Sequence, residues 1–144
     1  RAAAPGVSLA RALSKLGVCS RRDAERWIAA GRVRVDGRAI LDASTRVIPE
    51  RARIEVDGAA VRAATPVYLA MNKPRGVLVS RVAERGAPTI HDVLAAADVA
   101  GADAPHLSAV GRLDKASEGL LLVTNDTRWA AALADPASHV EKTY

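Results

Sequence analysis

The sequence predicts an α+β protein made of two modules: a small helix-helix-β-hairpin unit, then a domain built on a mixed or antiparallel sheet. Three observations carry this. Two short amphipathic helical patterns stand side by side and lead into an alternating apolar–basic run closed by an Asp-Gly turn. Further on, two apolar runs, Leu107 to Val110 and Leu120 to Val123, flank a polar, glycine-bounded loop, as buried strands joined by a charged connection would. Charge is also divided unevenly. Residues 1–66 hold 13 Lys and Arg against 7 Asp and Glu, whereas residues 67–144 hold 8 against 9, so the net +5 belongs to the first half, which makes that half a candidate for a polyanionic partner.

In chain order, Ser8 can cap a helix over Leu9–Leu16, whose Leu9, Leu13 and Leu16 share a face, and Gly17 stops it. Ser20 begins a second helix, with Asp23 three residues on in a capping-box arrangement; Ala24, Trp27 and Ile28 form its apolar side and Gly31 ends it. Trp27 reads as core on that spacing. Arg21 and Arg22 fall in its first turn, where the helix dipole disfavours cations, a local cost that a function can explain. Arg32-Val33-Arg34-Val35 alternates as a half-buried strand does, Asp36-Gly37 is a hairpin turn and Arg38–Ile40 returns. Thr45–Ile48 and Arg53–Val56 read as short strands, with Asp57-Gly58 a second turn.

Small residues from Gly58 to Pro66 mark a boundary, which puts one domain at 7–60, a linker at 61–66 and a second domain at 67–144. There, Val67–Met71 is expected as a strand, Lys73-Pro74-Arg75-Gly76 as a turn, and Val77–Val79 as the returning strand. After a loop over 81–88, Thr89 and Asp92 form a capping box for a short helix with Ile90, Val93 and Leu94 inward. Residues 98–106 connect to the strand before the central loop. Asp126 caps a helix to about Ala134 with Trp129 and Leu133 on its buried side, Pro136 breaks it, and His139–Tyr144 begins a further strand.

Composition narrows the functional classes. About half of the 144 residues are apolar, enough for a core, and no run approaches the roughly 18 apolar residues of a membrane span. Arg1–Pro5 shows no signal-peptide pattern, and Cys19 stands alone, which fits a reducing, cytoplasmic setting. His91, His106 and His139 are scattered, without metal-ligand spacing. With two Trp, two Tyr and no Phe, the chain does not suit a base-stacking sheet surface.

Within the central loop, Arg112 and Asp114 are two residues apart and would point to one side of extended backbone. The stretch Gly111-Arg112-Leu113-Asp114, with Ser117 and then Gly119-Leu120-Leu121, resembles the catalytic signature of RsuA-like pseudouridine synthases. Lys73-Pro74-Arg75-Gly76 resembles that family's first motif, and Lys142-Thr143-Tyr144 its Lys-x-Tyr motif. The first module resembles the S-four-like RNA-binding domain through Leu9–Leu13, Gly17–Glu25, Ile28 and Gly31–Gly37.

These resemblances imply a specific chemistry. Uridine in structured RNA, expected to be ribosomal and leaning to the large subunit, would be isomerised to pseudouridine. Asp114 would be the catalytic carboxylate. Arg112 would hold it and engage phosphate or the space the base vacates, Tyr144 would stack on the uracil, and Lys73 and Arg75 would support the site. RNA would be gripped through Arg11, Lys15, Ser20, Arg21, Arg22, Arg26, Arg32 and Arg34. No cofactor and no metal are expected, and a monomer is. The resemblance also implies that the family's catalytic domain continues past the Lys-x-Tyr motif, so the chain is expected to hold its N-terminal part. The competing expectation is an RNA-binding protein without catalysis, acting through the basic first module.

Overall fold

Hydroxyl caps and glycine stops define the first two helices, much as the sequence predicts. The structure, a computed structural model, describes residues 6–99 and 105–144, and its chain separates into one unit up to Thr65 and another from Pro66. In the first, strand β1 (Val7–Ser8) runs straight into helix α1 (Leu9–Lys15), whose cap Ser8 accepts from the Arg11 amide. Helix α2 (Arg21–Ala29) is capped by Ser20, whose hydroxyl accepts from the Asp23 amide at 3.0 Å and donates to the Asp23 carboxylate at 2.6 Å. Both helices finish with the same paired bonds. Gly17 and Val18 donate to Ser14 and Leu13, and Gly31 and Arg32 donate to Ile28 and Trp27, so the last carbonyls are not left without partners.

Beyond them come β2 (Val33–Val35), β3 (Arg38–Ala39), β4 (Arg46–Val47), β5 (Ile54–Val56) and β6 (Ala59–Ala60). β1 pairs with β4, and the others form an antiparallel sheet ordered β3-β2-β5-β6. Both Asp-Gly pairs have positive φ at both residues, the geometry that two-residue hairpins need. Leu9, Leu13, Ile28 and Val33 are wholly buried in one core, against which Trp27 packs from its edge. Cys19 is buried in the same cluster. Strands β1 and β6 go beyond the sequence reading. Each is two residues long, and Ala59-Ala60 has poor strand propensity; it pairs because the Asp57-Gly58 turn brings it back onto β5.

The second unit is a three-stranded antiparallel sheet ordered β7-β9-β8, where β7 is Tyr68–Lys73, β8 is Ser108–Val110 and β9 is Gly119–Thr124. Helix α3 (Ile90–Ala96) has the complete Thr89/Asp92 capping box, and α4 (Thr127–Ala134) is capped by Asp126. The start of β7 is latched to the end of β9. Val67 N–H donates to Asn125 at 2.8 Å, the Thr124 hydroxyl donates to the Val67 carbonyl at 2.6 Å, and the Tyr68 hydroxyl donates to Asp126 at 2.8 Å. Tyr68 also meets Trp129 edge-on, at 5.0 Å between ring centroids. Val77, Ile90, Leu107, Leu121 and Val123 are the buried core.

Two expected strands are not there. Val77–Val79 does not return along β7. Its place beside β7 is taken by β9, and Leu78 instead bonds on both sides of Thr89, accepting from Ile90 and donating to Pro88. His139–Tyr144 follows a 3-10 turn at Pro136–Ser138 and forms no strand, because a β-prone run becomes one only where a neighbour accepts its ladder bonds. Of the predicted connection over 98–106, residues 100–104 lie outside the described residues, as do Arg1–Pro5. Among the described residues, no helix is long and apolar enough to cross a membrane.

Candidate active site

The loop between β8 and β9 holds both central charged residues. Gly111, with φ of 79°, turns the chain out of β8 into a conformation that strains side-chain-bearing residues. Arg112 and Asp114 are then presented to solvent, and a tight turn follows in which Ser117 N–H donates to the Asp114 carbonyl at 3.0 Å. Gly119 opens β9 opposite Lys73, so the loop ends where β7 ends.

That register explains the position of Lys73. The sequence puts it in a turn, but the structure makes it the last residue of β7, with 0% of its surface accessible. Its ammonium donates to the Pro74 carbonyl at 2.9 Å and, across the sheet end, to the Ser117 carbonyl at 2.8 Å. Among the described residues no carboxylate lies within ion-pair distance of it. A buried charge is costly unless hydrogen-bonded, and bonds made by a charged donor are the strong ones. Lys73 is therefore spent on holding the loop, forty-odd residues away, against its own strand end. Two further contacts run in parallel. Gly76 N–H, made available by a φ of 84°, donates to the Lys115 carbonyl at 2.7 Å, and Arg75 pairs with Glu118 at 3.4 Å. The last pair is exposed and contributes at most about 1 kcal/mol.

Arg112 and Asp114 are both exposed, and among the described residues they make no ion pair with each other. Arg112 instead lines a cleft of about 170 Å³ together with Val79, Ser80, Arg81, Ile90, His91, Ser108, Ala109 and Gly111; Asp114 is not in its wall. Lys115 and Ser117 act through their backbone carbonyls. Tyr144, outside any helix or strand, is 97% exposed.

The polar residues of the cleft and their neighbour His106 carry no signal in the sequence. Arg81, His91 and Ser108, with His106 beside them, are isolated singletons, drawn together only when the segment after β7 and helix α3 pack beside β8. His106 Nε2 lies 3.0 Å from Ser108 Oγ and 3.5 Å from Arg81 Nη1. Burial pushes the His91 imidazole below its ordinary pKa, and the Arg81 charge pushes the same way against the weaker pull of Asp92. Asp92 and Asp126 are themselves held below the usual carboxylate range, Asp92 by the amide and hydroxyl of Thr89, Asp126 chiefly by the Trp129 amide and the Tyr68 hydroxyl. Among the described residues no group of His, Cys, Asp and Glu could hold a metal ion.

In the first unit, Arg11, Lys15, Arg21, Arg22, Arg26, Arg32 and Arg34 are all exposed, and Ser20 is half-buried as a cap. They are not equivalent. Arg21 pairs with Glu25, Arg26 with Asp23, and Arg32 grips Asp57 with two bonds from Nε at 2.9 and 3.2 Å while lying 5.1 Å over the Trp27 ring. Arg11, Lys15, Arg22 and Arg34 have no ion-pair partner among the described residues.

The chain thus joins a basic two-helix unit to a sheet whose end presents an exposed carboxylate loop. Residues 67–144 match the RNA pseudouridylate synthase family, more than half of the chain, and the protein belongs to that family. Residues 7–50 match the S4 domain. A Mycobacterium tuberculosis protein named as an uncharacterised RNA pseudouridine synthase is 45% identical over 96% of this chain and 54% of its own length. The Bacillus subtilis ribosomal large subunit pseudouridine synthase B is 34% identical over 94% of this chain and 53% of its own. The chain thus spans about half the length of the curated relatives it matches. A crystal structure of a pseudouridylate synthase is 24% identical, with a TM-score of 0.47, over 92% of this chain and 54% of that one.

Proposed function

We propose that the protein isomerises a uridine of structured RNA to pseudouridine, with Asp114 as its catalytic carboxylate. The observation that carries this reading is the loop geometry: an exposed Asp on a tether anchored by a buried lysine and a glycine amide. A group that must meet a nucleotide drawn out of its stack has to be accessible and held still, and such a tether supplies both. The bond from uracil N1 to the ribose is broken, the base turns, and C5 bonds to the same sugar carbon. The proton leaving C5 balances the one gained at N1, so nothing is oxidised and no phosphate is consumed. Asp114 serves as nucleophile or base toward the ribose, and Tyr144 as the wall on which the uracil stacks. Arg112 contacts phosphate or fills the space that the base vacates.

Residues 7–60 dock the RNA and residues 67–144 hold the first part of the catalytic domain, with 61–66 as the linker. Ribosomal RNA of the large subunit is the proposed substrate, supported by the name of the Bacillus subtilis relative. A protein that only binds RNA would have no use for a carboxylate so firmly tethered. The deciding experiment places Asp114→Asn in the full-length protein. RNA binding should persist while pseudouridine formation falls to background; turnover near that of the unaltered protein would end the assignment.

A further inference from the structure

The cleft beside the loop has a composition that the isomerisation does not account for. Among the described residues its wall carries two guanidinium groups, Arg81 and Arg112, one imidazole, His91, two hydroxyls, Ser80 and Ser108, and no carboxylate. Apolar side chains, Val79 and Ile90, complete it. Arg112 has no ion-pair partner among the described residues. His106, outside the lining, touches both Ser108 and Arg81, so two of the polar groups share a common neighbour. Guanidinium groups gathered around hydroxyls, without an acidic residue among the described lining residues, fit an oxyanion. Guanidinium forks match phosphate geometry, and hydroxyl and imidazole N–H groups supply further donors.

Size decides what kind of anion. Pockets that enclose a small organic molecule run to roughly 300–1,000 Å³. At about 170 Å³ the cleft is smaller than such pockets and has room for one phosphate group with its water.

We propose that this cleft seats one backbone phosphate of the RNA, beside the nucleotide presented to Asp114. This rests on the reading of the protein as an RNA-modifying enzyme. Arg112, which follows the glycine turn and precedes Asp114 by two residues, then fixes how far a bound phosphate stands from the carboxylate. The phosphate sets the register of the strand, and the loop acts on a neighbouring sugar. His91, its pKa lowered by burial and by the Arg81 charge, contributes a ring edge that can hydrogen-bond to the phosphate.

Two measurements test it, and neither scores pseudouridine. In the first, the imidazole signals of the chain are followed by NMR while inorganic phosphate is added. His91 and His106 should shift saturably and His139, on the exposed tail, should not; Arg81→Gln should weaken the response. A parallel linear drift of all three, or none at His91, overturns the site. In the second, binding of a single-stranded RNA is measured against salt. Removing one phosphate interaction makes the slope of log K on log salt less steep by about 0.7, and Arg81→Gln, an exposed position, should show that change. Phosphate binding with an unaltered slope would mean that the cleft takes free phosphate only, and the RNA assignment is overturned. If Asp114→Asn keeps its turnover while both measurements succeed, the catalytic reading fails and the phosphate site stands.

Discussion

Arg11, Lys15, Arg22 and Arg34 of the first unit and Lys73 of the second use positive charge in opposite ways. In the first, the cations surround a closed apolar core and stay in water, where Arg11, Lys15, Arg22 and Arg34 have no ion-pair partner among the described residues. In the second, the best-anchored cation, Lys73, is taken wholly out of water and bonded to two carbonyls. A charge meant for a partner is worth most while it is still hydrated and mobile enough to meet one, since it binds phosphate by releasing counterions. A charge meant for its own chain is worth most when buried, where its hydrogen bonds are strong and competing water is excluded. Charge counted from the sequence conflates the two.

Substitutions can break this contrast. The largest stability effect is expected from Leu13→Ala, which opens a cavity at a fully buried site and should cost about 2–5 kcal/mol. Chemical denaturation should then show the first unit melting early, with RNA affinity abolished and the protection of the β7–β9 amides retained. Next comes Lys73→Met, which removes two charge-assisted bonds and should cost about 1.5–3 kcal/mol. Its sharper signature is local: the Gly76 amide, which donates to Lys115, should exchange with solvent faster, while RNA binding by the first unit is unchanged. If Gly76 stayed protected, the lysine would not be what holds the loop. Smaller still, Arg22→Gln with Arg34→Gln should leave stability alone and flatten the salt dependence of RNA binding by up to about 0.7 for each phosphate that is no longer neutralised. The same pair of changes at Arg26 and Arg32 should do less, because those side chains are engaged with Asp23 and Asp57.

The smallest expected effect is on acid stability. Asp92 and Asp126 have folded pKa values below their ordinary one, so the stability they contribute is present above the unfolded pKa of about 3.9 and is lost as pH falls through the lowered folded values. Asp92→Asn should therefore flatten the acid end of a thermal-melting profile for the second unit. An unchanged profile would mean that the Thr89 hydrogen bonds do not favour the ionised carboxylate in solution.

What the sequence disclosed was local. Caps at Ser8, Ser20, Thr89 and Asp126, stops at Gly17 and Gly31, and the two Asp-Gly turns depend on neighbours within a few residues, and the structure has each of them. Pairing across distance was hidden. Val77–Val79 has strand composition, but the place beside β7 belongs to β9, some fifty residues on. Lys73 looks like a turn residue because nothing nearby signals that the Ser117 carbonyl will arrive above it. Arg81, His91, His106 and Ser108 have no spacing to give them away. At the central loop, sequence identifies Arg112 and Asp114 but implies a shared direction, whereas Arg112 faces a cleft whose lining excludes Asp114.

The hydrogen bond from the Gly76 amide to Lys115, together with the Lys73 bridge, has a practical corollary. A synthetic peptide copying residues 111–118 would lack both tethers and sample many shapes. Anyone transplanting the motif to another scaffold must bring the far strand end with it, because the portable part is two pieces of chain and not one.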